Sequence, residues 1–131
     1  MTRSQFFIRD HYKELEGAAE FFNVDSVLPD AGAYESAKVR VLIVFPSTAQ
    51  DKGQSMTATV LNDYAQSFGG RYFMDFAYAP TRSDVKVYDK HGMPYVLGTV
   101  SHLDASHFDF VGFSLSVLHE IAAVPWLLSS F

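Results

Sequence analysis

The sequence contains no cysteine among its 131 residues. This absence excludes disulfide bonds, thiolate zinc sites, a cysteine nucleophile and ligation of an iron–sulfur cluster by this chain. The sequence also lacks a long apolar run. No stretch approaches the roughly 18 apolar residues of a membrane-spanning helix, and the amino-terminal apolar run is too short for a signal peptide. We therefore expect a cytoplasmic protein with no membrane partner.

Positive charge is scarce and scattered along the chain. Ten Lys and Arg stand against 15 Asp and Glu, which gives a formal net charge of −5. Without a basic cluster we expect no nucleic-acid partner, and the 12 Phe and 7 Tyr are better explained as core than as a base-stacking platform. At 131 residues the chain fits one domain, which is long enough to bury roughly two thirds of its unfolded surface. The hydrophobic fraction of 48% indicates a packed core and not disorder.

Patterns typical of catalytic centres are also missing. No serine nucleophile stands in an elbow glycine pattern with His and Asp partners. The first predicted strand ends in Phe45-Pro46 without the acidic pair that a phospho-acceptor site needs. We therefore predict no catalytic residues in this chain.

Two short groups of polar residues are candidate binding sites. His102, Asp104 and His107 lie close together, but a loop does not hold metal ligands at fixed distances, so we interpret them as surface residues and predict no metal site. His119 and Glu120 could reach a ligand, but a solvated helix start explains them equally well.

The best functional signal is shared by two apolar segments that end in small hydroxyl residues. Residues 39–48 form a β-branched run that ends in Ser47 and Thr48, and Asp109–Phe113 is followed by Ser114, Leu115 and Ser116. Short apolar runs of this kind are typical of strands buried in a parallel sheet, and ligands bind beyond the carboxyl ends of such strands. We predict cofactor-binding residues at Ser47, Thr48, Ser114, Leu115 and Ser116. The alternative is that these hydroxyls bond loop backbone or cap the next helix.

Hydrophobic periodicity and turn residues predict an alternation of helices and strands. In the first half of the chain, the predicted elements are an amphipathic helix over 4–23 that can break at Gly17, an extended connector over 24–37, a strand over 38–45 and a helix from Ser55 or Thr57 to Gly69-Gly70. In the second half they are a strand over 72–78, a polar loop over 99–108, a strand over 109–113 and helix over 118–131. Within the last range, Pro125 is predicted at the first position of a new helix.

Residues 83–97 are compatible with two structures. They predict either a hairpin or a helix, capped by Ser83-Asp84 and ended by Gly92, that leads into a strand over Met93–Leu97. We favour the helix, because parallel strands need a crossover connection.

Together these elements predict an α/β fold. The predicted sheet is doubly wound, mostly parallel and four-stranded, as in flavodoxin-like and Rossmann-like proteins, with 41–45 central in the order second, first, third, fourth strand. Residues 1–37 would be a helical appendage with a connector, and 38–131 the main domain. The sheet stops early and leaves an open edge beside an apolar end, so we expect a domain truncated at its carboxyl end that self-associates through 109–131.

Two segments, residues 91–97 and 109–116, resemble a known protein family. Asp109-Phe-Val-Gly-Phe-Ser-Leu-Ser116, preceded by His91-Gly-Met-Pro-Tyr-Val-Leu97, is similar to the amino-terminal B12-binding domain of cobalamin-dependent radical SAM proteins. The likeness covers residues 27–128. Other matching segments stand in the same order as in that family, and these are Pro29–Glu35, Val41–Pro46 and Ala79-Pro80.

The resemblance implies a Rossmann-like domain that holds cobalamin over its strand ends and is not catalytic alone. Its partner would be a radical SAM barrel, which carries the cluster-binding cysteines, or a missing carboxyl-terminal segment. This chain departs from the pattern in having no cysteine and hence no iron–sulfur cluster. Asp89-Lys-His91-Gly92 begins like the Asp-x-His-x-x-Gly motif of an axial histidine, but Pro94 replaces the glycine, which puts histidine ligation in doubt.

Two other functions stay open at the level of sequence. One is a scaffold or interaction module that has lost the ligand. The other is a flavodoxin-like FMN-binding protein, because the loop from Ser47 to Thr57 is rich in hydroxyls and precedes a helix amino terminus. The glycine and threonine spacing of that loop does not match a flavodoxin phosphate loop.

Overall fold

The computed structural model of the chain describes residues 2–16, 31–48, 57–115 and 118–131. In this part of the chain, three parallel strands form a sheet: β1 (Val39–Thr48), β2 (Tyr72–Ala79) and β3 (Phe110–Phe113). The strand order is β2-β1-β3, and both pairings are parallel. The α/β class and the central place of the first strand are confirmed.

Five α-helices accompany the sheet within the described residues: α1 (Arg3–His11), α2 (Ala31–Ser36), α3 (Thr57–Gln66), α4 (Arg82–Lys90) and α5 (Ala123–Leu128). Short 3-10 turns lie at Tyr12–Glu14, Gly69–Arg71, Ala105–His107 and Leu118–Ala122. None of the helices in these ranges has the length and apolar character needed to cross a bilayer.

Local capping explains where the two best-defined helices begin. The Thr2 side chain accepts a hydrogen bond from the Gln5 N–H, and the Gln5 side chain accepts one from the Thr2 N–H, which is a complete capping box for α1. The helix α4 confirms the helix that the sequence predicts in the first half of residues 83–97. Its cap is Thr81, whose hydroxyl accepts from the Asp84 N–H, and not Ser83-Asp84 as predicted.

The strand predicted over Met93–Leu97 does not form. Leu97 makes only an isolated antiparallel bridge to Asp104. Pro94 has no N–H to donate, and the Tyr95 N–H donates to the Ser130 hydroxyl at 3.1 Å, so these groups are not available to a sheet. As a result β3 pairs directly with β1, and the predicted four-strand order is wrong at its third position.

The core has two clusters of buried side chains. One lies against the sheet and consists of Leu42, Val44, Ala77, Val96, Ala105 and Leu127. The other joins α1 to α4 and consists of Phe7, Ile8, Leu15, Tyr88, Met93 and Leu97. The helix that the sequence predicts as an appendage therefore packs against α4 and buries part of its own surface.

Several element boundaries differ from the prediction. The strand β1 continues through Pro46 to Thr48, with a register irregularity after Phe45 that accommodates the proline. The first helix ends at His11 and Leu15 is extended. Residues 31–36 form α2 instead of extended connector, while 17–30 lie outside the described residues. Pro125 is the third residue of α5, still in the first turn, where backbone N–H groups have no helical partner.

Candidate functional site

The structure brings the two hydroxyl-bearing strand ends side by side. Val44 of β1 pairs with Phe113 of β3, and the Ser114 N–H donates to the Val44 carbonyl at 2.9 Å. Ser47 lies at the end of β1, so Ser47 and Ser114 share the carboxyl edge of the sheet. Parallel pairing produces this arrangement, because the ends of neighbouring parallel strands meet at one edge.

A buried carboxylate completes this edge. The Ser47 hydroxyl donates to Glu120 Oε2 at 2.9 Å, and Glu120 is 1% exposed. The interpretation of Glu120 as part of a solvated helix start is wrong. A buried carboxylate needs polar partners because leaving water is costly, and the Ser47 hydroxyl is one of them.

The structure shows less about the other three predicted site residues, Thr48, Leu115 and Ser116. The Thr48 backbone pairs with Ala79 of β2, Leu115 is exposed, and Ser116 lies outside the described residues. Leu118, three residues beyond Leu115, is 83% exposed. We call Ser47, Ser114, Leu115, Leu118 and Glu120 the carboxyl edge site, which combines a polar pair with exposed apolar side chains.

A second buried polar cluster lies on β2 and was missed at the sequence level. The fully buried Asp75 carboxylate accepts from the N–H groups of Phe76, Val100 and Ser101 and from the Ser101 hydroxyl, at 2.6–3.1 Å. Burial raises the pKa of Asp75, and the hydrogen bonds from Ser101 and the backbone act against that rise. Because this carboxylate is closed off from solvent, its role is to fix the segment after α4 onto β2.

The group His102, Asp104 and His107 does not form a metal-ligand cluster within the described residues. The surface interpretation is nevertheless wrong for His102, which is 4% exposed and has a φ of 60°. Burial lowers the pKa of His102 to about 4, so its imidazole is neutral at pH 7. Asp104 accepts from the Ser106 N–H at 2.9 Å and so starts a 3-10 turn.

The histidine of the partial axial-ligand motif does not lie at the carboxyl edge. His91 follows the nine-residue helix α4, which begins just beyond the end of β2. A helix of that length spans about 13 Å. The His91 ring packs instead against the His11 ring, with centroids 4.0 Å apart.

Comparisons with known proteins identify no relative of this chain. No protein-family model matches the chain, and neither does any curated protein or solved structure. The similarity to B12-binding domains therefore rests on the sequence segments quoted above.

Proposed function

We propose that this chain is a cobalamin-binding domain, or a domain derived from one, of the kind found at the amino terminus of radical SAM proteins. The observation that carries the proposal is the direction of the chain through the sheet. From β1 it passes to β2 on one side and then returns to β3 on the other. In a doubly wound sheet the ligand binds at this reversal, which here lies between the strands that end in Ser47 and Ser114.

The chemistry of the carboxyl edge site supports an amide-rich ligand with flat apolar faces. Cobalamin carries primary amides around its corrin ring. Their N–H groups suit the Ser47 hydroxyl oxygen, whose own proton is donated to the buried Glu120 carboxylate, and their carbonyls suit the Ser114 hydroxyl. Exposed Leu115 and Leu118 offer apolar contact to the macrocycle. Because His91 packs against α1, we propose that it is not an axial ligand.

The catalytic step would belong to a partner. Bound cobalamin supplies a cobalt centre, while the described residues of this chain only bind and orient it. We propose that a radical SAM barrel domain contributes the cluster and S-adenosylmethionine. Exposed apolar side chains on β3 and after it, including Phe110 and Ile121, support a protein partner on this side of the sheet.

Titration with hydroxocobalamin tests the ligand directly. Binding shifts the visible absorption of the corrin and retains it with the protein on a desalting column at tens of micromolar. Ser114→Trp should weaken the shift because the bulkier side chain occupies the proposed binding position beyond the ends of β1 and β3. The matched control is Ser67→Trp, which changes an exposed serine after α3 and should bind like the wild type.

A lack of both spectral shift and column retention would contradict the cobalamin proposal. It would favour the second candidate, an interaction module without a small ligand. The specific observation in favour of that candidate is that the Ser47 hydroxyl is already bonded to Glu120 and not directed at open solvent. A protein that is yellow as isolated would support FMN binding instead. Residues 49–56, which belong to the loop on which the FMN prediction rests, lie outside the described residues.

A further inference from the structure

Three side chains that can bind a metal converge away from the carboxyl edge site. His11 is the last residue of α1, Glu14 lies in the following 3-10 turn, and His91 follows α4. One ligand atom from each lies within 4.8 Å of the others. His11 Nδ1 is 2.6 Å from Glu14 Oε2, and His91 Nε2 is 3.7 Å from the same oxygen.

The core holds these three side chains in place. Buried Phe7 and Tyr88 pack the ends of α1 and α4 together, with ring centroids 5.4 Å apart. The Phe7 ring also contacts the rings of His11 and His91, at 5.6 and 5.3 Å. In addition, Arg3 Nη2 donates to the His91 carbonyl at 3.0 Å. A rigid scaffold of this kind sets the ligand positions in advance, as a metal site requires.

One atom of the cluster lacks the partner that a metal would provide. His91 Nε2 is buried and has no hydrogen-bond partner among the described residues. Buried polar atoms are normally hydrogen-bonded, so an orphaned imidazole nitrogen beside a carboxylate and a second imidazole has a chemical reason to bind a cation.

We propose that His11, Glu14 and His91 bind a divalent transition-metal ion of the zinc class. Two imidazoles and one carboxylate suit such an ion, whereas Mg²⁺ and Ca²⁺ prefer all-oxygen sites. Ligand atoms about 2.0–2.2 Å from a tetrahedral ion lie about 3.3–3.6 Å from one another. The distance of 3.7 Å between Glu14 Oε2 and His91 Nε2 is close to this value. The separation of His11 from Glu14 increases by about 1 Å when the metal replaces the hydrogen-bond proton.

Three protein ligands leave one position of the ion open. A cavity of about 180 Å³ lies next to the cluster, and its lining includes Arg3, Asp10, His11 and His91. Water or a small anion from this cavity can take the open position, as in zinc sites with three protein ligands. Lys90 competes with the metal for the same carboxylate, because its Nζ is 3.8 Å from Glu14 Oε1. This side chain is exposed and can turn away into solvent.

Calorimetric titration of the untagged chain with zinc chloride at neutral pH tests the site. We expect one ion per chain with micromolar or tighter affinity. Glu14→Gln keeps the side-chain shape but removes the charge, and His91→Gln removes an imidazole; each should weaken binding by about tenfold or more. The matched controls are Glu35→Gln, an exposed carboxylate on α2, and His107→Gln, and both should bind zinc like the wild type.

Cobalt(II) substitution gives a readout that does not depend on the variants folding equally well. A four-coordinate site with two imidazoles gives visible d–d bands that are lost on addition of zinc. Absence of saturable binding by the wild type would overturn the proposal and leave the cluster as a His11–Glu14 hydrogen bond. Equal zinc affinity in Glu14→Gln, His91→Gln and the wild type, with unchanged circular dichroism, would overturn it too. The carboxyl edge site is not involved, so the cobalamin result is independent.

Discussion

At the scale of single residues, the tightest constraint is the contact between Gly98 and Asp75. A Cβ built on Gly98 would lie 2.1 Å from Asp75 Oδ2 and 2.7 Å from Ser101 Oγ. Both atoms belong to the buried hydrogen-bond network that fixes the segment after α4 onto β2. Glycine at this position is therefore a packing requirement, because the space for a side chain is already taken by the carboxylate.

Gly98→Ala should lower the free energy of unfolding by about 3 kcal/mol, since it combines overpacking with the loss of buried hydrogen bonds. Urea denaturation followed by circular dichroism measures this change. The matched control is Gly70→Ala, where no described atom lies within 4 Å of the new Cβ. That variant should differ from the wild type by less than about 0.5 kcal/mol. Equal midpoints for both variants would contradict the packing role of Gly98.

His102 gives the protein a predictable response to acid. Burial lowers the pKa of the His102 imidazole in the folded protein from 6.5 to about 4. The unfolded chain takes up a proton below pH 6.5 and the folded chain does not, so folding stability is full above pH 6.5 and falls as the pH drops to about 4. Solvent screening limits the loss to about 2 kcal/mol.

Comparison with His102→Asn isolates this effect. Asparagine tolerates the positive φ of 60° and does not titrate. Asp75 acts in the opposite sense: its raised pKa favours the folded state at low pH, and this contribution is lost as the pH rises through that pKa. Asp75 is present in both proteins, so the difference between their pH profiles reports His102. Parallel profiles between pH 6.5 and 4 would contradict the prediction.

At the scale of elements, α4 depends on the Thr81 cap. The Thr81 hydroxyl accepts from the Asp84 N–H at 3.2 Å and satisfies a first-turn donor that has no helical partner. Thr81→Ala should cost about 1 kcal/mol of folding stability. Thermal unfolding measures the loss, and Arg82→Ala, at the neighbouring exposed position, should change it by less than about 0.5 kcal/mol. A smaller loss for Thr81→Ala than for Arg82→Ala would show that the cap does not stabilise α4.

At the scale of the whole molecule, the sheet has an open edge at β3 in the described part of the chain. Phe110 on this strand is 64% exposed, and Trp126, Leu128 and Phe131 of the last segment are also exposed. An edge strand offers unpaired N–H and C=O groups to another chain, and exposed apolar side chains add to the gain on association. We therefore expect a second copy of the chain to pair through residues 109–131.

Sedimentation at micromolar concentration should show a dimer or a larger species. Phe110→Lys places a charge on the edge and should shift the distribution towards monomer. Val60→Lys, which changes an equally exposed apolar side chain on α3, should leave it unchanged. A monomeric wild type, or an equal effect of both substitutions, would contradict pairing through β3.

Local sequence signals were enough to locate most elements. The strands β1, β2 and β3 follow from short apolar runs bounded by proline, glycine and serine, and the end of α4 follows from Gly92, whose φ is 64°. Two runs that end in serine also predicted that Ser47 and Ser114 would lie at one edge. These features depend on the periodicity and backbone preferences of neighbouring residues, which the sequence displays directly.

The sequence by itself thus determined the α/β class, the three strands and the main helices, because each depends on residues close in the chain. Only the tertiary structure decided that Tyr95 donates to Ser130 instead of joining a sheet, that Glu120 is buried against Ser47, and that His91 meets His11 and Glu14. Burial and hydrogen-bond pairing are set by residues distant in sequence. A local pattern cannot report them, since the same polar residue is favourable in water and costly in the core until its partner is known.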